Sequence, residues 1–336
     1  VGPDGRVYFA PVKTLGVLRI DSEACTDEVL GAGSLASGSY LAGVLASNGK
    51  LYFAPLDANQ VLVVDPQACT TEALGLRVQS HISYSARGVL APNGKIYYAP
   101  CHAPRVLCVD PESDTAAMLG PEVQGAQKYT AGGVLAQNGK IYFAPCHARR
   151  VLCIDPETDA VQMLGPEIAG AEKYAAAGVL AQNGKIFYAP CHARRVLCID
   201  PETDMVEALG PAMEAAGNYK ADGVLAPNGR IYFAPWDAGH VLCVDPEAGV
   251  ALLPGPKLRG SQKYWAGGVL GPNGRIYFAP YDARQVLSVD PEACTAEMLG
   301  PTLQSTRSCK AAGVVAPCGK IYFPMYDTRQ VLCVDP

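Results

Sequence analysis

Short apolar runs recur along the chain at fixed intervals, separated by polar or glycine-rich breaks. From Gly133 to Ala177 the order is Gly-Val-Leu-Ala, Gln-Asn-Gly, Lys-Ile-Tyr-Phe-Ala, a polar loop, Val-Leu-Cys-Ile, Asp-Pro-Glu-Thr and Val-Gln-Met-Leu. The first two runs meet across Asn138-Gly139, a two-residue loop suited to a type I′ turn with two positive φ angles. They predict an antiparallel hairpin of strands A and B. The third run is strand C, ending at Asp155-Pro156, where Asp caps the turn and Pro presets φ. That turn leads into strand D. Strands A to C are apolar almost throughout, as strands buried on both faces are, while D is more polar, as an outer edge is.

The unit repeats. Its turn dipeptide stands at Asp4-Gly5, Asn48-Gly49, Asn93-Gly94, Asn138-Gly139, Asn183-Gly184, Asn228-Gly229, Asn273-Gly274 and Cys318-Gly319, giving one step of 44 residues and six of 45. A four-stranded antiparallel unit buried on both faces and repeated at this period predicts an all-β fold, a β-propeller. Helical repeats of similar length need long 3.6-residue periodicity, which 35 Gly and 27 Pro interrupt. The chain shows eight B and eight C runs, seven D runs and seven full A runs plus the stub Val1-Gly2. Eight blades of four antiparallel strands leave one strand missing, whereas the alternative of seven blades leaves about three without a place. With no linker or composition shift, residues 1–336 read as a single propeller domain. The chain starts inside a strand and stops at Asp335-Pro336, which suggests a piece of a longer protein.

A net charge of −5 and a pI near 5.6 argue against a sequence-independent hold on nucleic acid. No apolar run approaches the ~18 residues of a bilayer span. Of the 13 cysteines, Cys101, Cys146 and Cys191 share a repeat position with Leu56, Trp236, Tyr281 and Tyr326, and Cys108, Cys153, Cys198, Cys243 and Cys333 share one with Ser288 and Val-like residues. Such positions read as small buried hydrophobes with unpaired thiols, in keeping with an intracellular, reducing compartment.

The B–C loop carries the candidate chemistry. One position runs Lys13, Asp57, His102, His147, His192, Asp237, Asp282, Asp327 through the repeats. The same loop bears Arg149, Arg194, Arg284 and Arg329, and the D–A connector brings Lys128-Tyr129, Lys173-Tyr174 and Lys263-Tyr264 to the same end of the sheets. Tyr40, Tyr84 and Tyr219 occupy the tyrosine position in other repeats. The opposite end holds the Asn-Gly and Asp-Pro turns, which turn chemistry explains. Neighbouring blades lie ~10 Å apart, whereas two ligands of one zinc ion lie only ~3 to 4 Å apart. Histidines of adjacent blades therefore cannot share an ion, and no metal or cofactor is expected. Near-identical repeats also argue against an asymmetric catalytic constellation, so no catalytic residue is assigned. His81 and His240 stand where other repeats have ordinary polar residues.

Ala91-Pro92-Asn93-Gly94-Lys95-Ile96-Tyr97-Tyr98 and Val106-Leu107-Cys108-Val109-Asp110-Pro111-Glu112 resemble the repeats of YVTN-type and NHL-like propellers. Pro100 departs from that pattern, which has Asn there, and seven blades are common in such propellers. The resemblance implies a platform for proteins, glycans or small ligands, a minority of such propellers being lactonase-like enzymes. It transfers no functional residue. Two readings follow. The preferred one is a non-catalytic protein-interaction scaffold, of the kind that serves as a peripheral subunit of a larger complex, using the Asp/His, Arg and Tyr face. Its alternative is a propeller binding a small ligand or sugar, or a lactonase-like hydrolase, with the site at the channel mouth.

Overall fold

The computed structural model describes residues 2–11, 16–21, 24, 26–31, 38–41, 43–75, 83–213, 217–303, 309, 311–325 and 330–336. Asp327, Arg329, Lys13 and His81 lie outside them. All regular structure among the described residues is β, in eight antiparallel sheets taken in chain order, and the chain is an eight-bladed β-propeller. Six sheets have four strands. The first shows strands B to D and the last strands A to C. The contacts divide the chain into two compact units, Val1–Glu167 and Ile168–Pro336, with four sheets in each.

Blade 4 stands for the rest. Strand A is Val134–Leu135, B is Ile141–Phe143, C is Val151–Asp155 and D is Ala160–Leu164. The A–B register pairs Val134 with Tyr142 and Leu135 with Ile141, which corrects the expected two-residue type I′ loop. Residues 136–140 form a longer turn in which the Gly139 amide donates to the Ala136 carbonyl at 3.1 Å. Gly139, not Asn138, takes positive φ, +80°, since Asn138 Oδ1 accepts the Lys140 amide and glycine bears the left-handed position without a Cβ clash. At the C–D turn, Asp155 Oδ1 accepts the Glu157 amide at 3.0 Å, and Asp159 takes φ +56°. Strand A is shorter than its apolar run because Gly133 and Ala136 fall outside the ladder. Its neighbour explains the glycine: a Cβ on Gly133 would lie 2.4 Å from both Cε1 and Cζ of Phe143. The backbone must pass over that ring.

The core lies between successive sheets. One cluster joins Tyr97, Ala99, Val106 and Cys108 of blade 3 to Ile141, Phe143, Leu152 and Ile154 of blade 4. Another joins Phe187, Val196 and Cys198 of blade 5 to Ile231, Phe233, Leu242 and Val244 of blade 6. Cys101, Cys108, Cys146, Cys153, Cys191, Cys198, Cys243 and Cys309 are buried thiols, as their apolar repeat positions imply. Burial pushes the Cys108 and Cys309 thiols up to about 11 and those of Cys198 and Cys243 to about 12.

The turns at the Asn-Gly end do more than reverse the chain, which corrects the expectation that turn chemistry alone explains them. Asn93 Nδ2 donates to the Pro156 carbonyl at 2.7 Å, and Tyr97 Oη donates to Asp159 Oδ1 at 2.6 Å. Lys95 Nζ meets Asp159 Oδ2, also at 2.6 Å. The same clasp joins Asn48, Tyr52 and Lys50 to Pro111 and Asp114, and Asn183 and Asn228 reach Pro246 and Pro291. These four A–B turns are thus tied to the C–D turns of the blades that follow them. Desolvation raises the Asp159 carboxyl, but the bonds from Lys95 and Tyr97 outweigh it and its pKa is lowered. The stability it contributes is present above the ordinary carboxylate pKa and is lost as pH falls through the depressed one. Replacing Asp159→Ala is expected to destabilise by about 1–2 kcal/mol in urea denaturation at pH 7. The gap from wild type should narrow at acid pH.

Candidate functional site

The B–C loop and the D–A connector do meet, through backbone hydrogen bonds. The amides of Cys146 and His147 donate to the carbonyls of Lys128 and Gln127 at 2.8 and 3.1 Å. Cys191 and His192 repeat this with Lys173 and Glu172, Trp236 and Asp237 with Asn218 and Gly217, and Tyr281 and Asp282 with Lys263 and Gln262. The connector residue takes a left-handed turn, with φ +50° at Gln127, +47° at Glu172, +70° at Gly217 and +53° at Gln262.

This clamp moves part of the expected surface inside. Lys128, Lys173 and Lys263 are buried, and each Nζ donates to a carbonyl three residues back, that of Gly125, Gly170 or Gly260, at 2.7 Å. Tyr129, Tyr174 and Tyr264 are equally buried, their hydroxyls donating to the carbonyls of Arg150, Arg195 and Gln285. Tyr84 and Tyr219 do the same toward Arg105 and His240. These lysines and tyrosines hold the loops and offer nothing to a partner. The reason is local: the connector turns back on itself, so its own carbonyls satisfy the ammonium, and the tyrosine ring fills the space under the loop. Desolvation lowers the Lys128 and Lys263 amines and raises the tyrosine hydroxyls.

The remaining positions differ among themselves. Asp57 and His192 are exposed, and His102, His147, Asp237 and Asp282 are half-buried. Asp237 serves its own loop, Oδ1 accepting the Gln262 amide at 2.7 Å. His102 and His147 each keep a buried Nε2 with no hydrogen-bond partner. Arg149, Arg194 and Arg284 are exposed. Arg149 pairs with Glu167 at 3.2 Å, a solvated contact that contributes little to stability.

The feature that the repeat pattern hid is aromatic. Both of the chain's two tryptophans stand together in the second unit. Trp236 and Trp265 meet edge-on with ring centroids 5.1 Å apart, and Tyr281 lies 5.3 Å from the first and 6.0 Å from the second. Lys220 Nζ sits 5.4 Å from the Trp236 ring centroid and 6.0 Å from that of Trp265. Trp236 and Tyr281 are buried, whereas Trp265 is 42% exposed. The repeats before it place Thr130, Ala175 and Lys220 at the Trp265 position. The clue in the sequence was that Trp265 falls where the repeats before it have small or polar residues, and that the neighbouring Trp236 and Tyr281 replace the cysteine of the three repeats before them. The same loop, from Asp237 on, lines a cleft of about 630 Å³ together with His240, Lys257, Arg259, Met213 and Leu253, among others, which neither tryptophan lines. A corresponding cleft of about 480 Å³ in the first unit is lined by Tyr129, His147, Arg149, Arg150 and Glu167, and Cys146 stands at the repeat position of Trp236.

No protein-family model matches the chain, and no curated protein matches its sequence. Solved structures do match its fold. A streptogramin B lyase aligns over 88% of this chain and 91% of its own, with TM-score 0.58 and 13% identity. Virginiamycin B lyase from Staphylococcus aureus aligns over 84% and 90%, with TM-score 0.59 and 12% identity. The Kuenenia stuttgartiensis hydrazine synthase aligns over 88% and 94%, with TM-score 0.52 and 14% identity. At such identity the likeness is one of fold, and the chemistry of those proteins does not transfer.

Proposed function

We propose that the chain is a non-catalytic binding propeller whose loop face in the second unit holds a protein partner, with Trp265 as the anchor. The observation that carries this reading is an exposed indole supported from below by two buried rings and flanked by a lysine. A large side chain held rigid before binding loses little entropy on contact, which is why tryptophan dominates binding hot spots. The cleft lined by Asp237, which follows Trp236 in the same loop, offers further polar groups in Lys257, Arg259 and His240. In the same unit the exposed Arg194 and Arg284 supply charge, better suited to steering than to holding, and Arg149 is the matching exposed charge of the first unit.

The test is capture from an extract of the source cells, wild type against Trp265→Ala, with binding constants measured for whatever is recovered. Loss of an aromatic anchor corresponds to about 2–4 kcal/mol, roughly 30-fold or more in affinity. A protein held equally well by both forms would refute the reading, and a Trp265-dependent hit on a glycan array would replace it with a sugar-binding one. Substituting Ala for Arg149, Arg194, Arg284 and Arg329 together is expected to slow association and reduce its salt dependence while changing dissociation less than Trp265→Ala does. Stopped-flow binding at two salt concentrations separates these effects.

A further inference from the structure

We propose that Glu172, Cys191 and His192 form a site for one thiophilic divalent cation, with Zn²⁺ as the best fit. The loop clamp of blade 5 assembles it. The His192 amide donates to the Glu172 carbonyl at 2.9 Å and the Cys191 amide to the Lys173 carbonyl at 2.8 Å, which holds two segments nineteen residues apart side by side. Glu172, at φ +47°, turns back toward the loop. An imidazole nitrogen, the Cys191 sulfur and a carboxylate oxygen consequently all lie within 4.8 Å of one another. His192 Nδ1 and Glu172 Oε2 are 3.5 Å apart. Tetrahedral zinc with bonds of ~2.0–2.2 Å sets two such ligands ~3.4 Å apart, so this pair already has the spacing. Cys191 is buried, while the side chains of His192 and Glu172 are 36% and 47% exposed. The two exposed side chains would take the ion from solvent and close it onto the buried Cys191 sulfur beneath them, with water left as its fourth ligand.

The donor set decides the metal. Thiolate, imidazole and carboxylate together suit zinc, whereas magnesium and calcium take oxygen ligands and have no use for the sulfur. The expectation that excluded metals concerned ligands on neighbouring blades, about a sheet spacing apart. Both segments of this site belong to one clamp, so that separation does not apply. Blade 4 is an internal control. Its clamp places Gln127, at φ +50°, beside Cys146 and His147. The geometry is repeated with a neutral amide in place of the carboxylate. Blades 6 and 7 have Gly217 with Trp236-Asp237 and Gln262 with Tyr281-Asp282, and lack the sulfur. Among the described residues, Glu172, Cys191 and His192 are the only such group of three.

The experiment is titration of the metal-free full chain with Co²⁺, followed by displacement with Zn²⁺. Expected is a thiolate-to-cobalt charge-transfer band that saturates at one equivalent and disappears when zinc is added. Glu172→Gln, which copies blade 4, should weaken binding at least tenfold. Cys191→Ser should abolish the band, and if that buried substitution disturbs folding, Glu172→Gln carries the same test from a half-exposed position. Gln127→Glu should raise the stoichiometry from one to two, a gain that no loss of stability can imitate. The proposal is overturned by absence of a saturable band, or by a band unchanged in Glu172→Gln and Cys191→Ser, which would place the ion on exposed thiols such as Cys69, Cys318 or Cys333.

Discussion

Raising the pH past about 10 is expected to unfold the chain steeply, driven by its buried tyrosines. Tyr84, Tyr129, Tyr174, Tyr219 and Tyr264 are at most 2% exposed, and desolvation raises each hydroxyl well above its ordinary value of 10.0. The unfolded chain releases these protons near the ordinary value while the folded chain keeps them, so stability falls as pH rises above it. One unit above, each tyrosine removes about 1.4 kcal/mol, and five together remove about 7 kcal/mol. That is comparable with the ~5–15 kcal/mol by which a folded domain is stable. The buried thiols act in the same direction and begin earlier, from their ordinary value of 9.0.

Lys128 and Lys263 oppose this. Their amines are lowered by desolvation, so stability rises with pH between the depressed value and the ordinary 10.5, and no further gain follows above it. Two lysines against five tyrosines and four thiols leave the loss in control. Thermal melts between pH 8 and 11.5 test the balance, with a Tyr129→Phe, Tyr174→Phe variant as control. That variant is expected to be weaker at pH 7, having lost two hydrogen bonds, yet to lose less stability between pH 9 and 11 than wild type. Parallel pH profiles for the two proteins would show that the tyrosines are not responsible.

Adding a single methyl group at Gly133 is expected to do more damage than any surface change. Gly133→Ala places a Cβ 2.4 Å from two ring carbons of Phe143, which is itself fully buried between blades. Overpacking of this kind costs about 1–3 kcal/mol and sometimes more, and the closed surroundings of this ring favour the upper end. Gly139→Ala is the comparison. Its φ is +80° but a Cβ there meets nothing within 4 Å, so it bears only the backbone penalty of about 1–2 kcal/mol. Adding Phe143→Leu to Gly133→Ala should recover part of the loss, and the double-mutant cycle in urea should show a favourable coupling. A Gly133→Ala penalty no larger than that of Gly139→Ala, with no coupling, would sink the packing account. The glycine position recurs as Gly88, Gly178, Gly223 and Gly268, each with a ring carbon of the matching aromatic 2.3–2.5 Å from the added Cβ.

What the sequence determined by itself was whatever depends on neighbours along the chain. The Asn-Gly dipeptides reverse the chain with positive φ at the glycine, Asp-Pro starts a turn, and apolar runs of this length make strands. The strand order, the antiparallel pairing and the count of eight blades were therefore readable without coordinates, while the length of the A–B turn was not. The meeting of the B–C loop with the D–A connector was readable too, because strand connectivity puts both at one end of the sheet. The destination of each side chain there was not. Lys128 and Tyr129 look like surface residues in sequence and are buried, because a carbonyl three residues back and another 21 residues ahead take their polar atoms. Asp159 looks like a turn residue and clasps Lys95 and Tyr97 of the preceding blade. Trp236 and Trp265, and likewise Glu172 with Cys191 and His192, come together through the stacking of one repeat on the next. A repeat pattern averages over its copies, so it records the turns and strands that every copy shares. Packing between particular copies depends on the residues in which they differ, and only the tertiary structure brings those into contact.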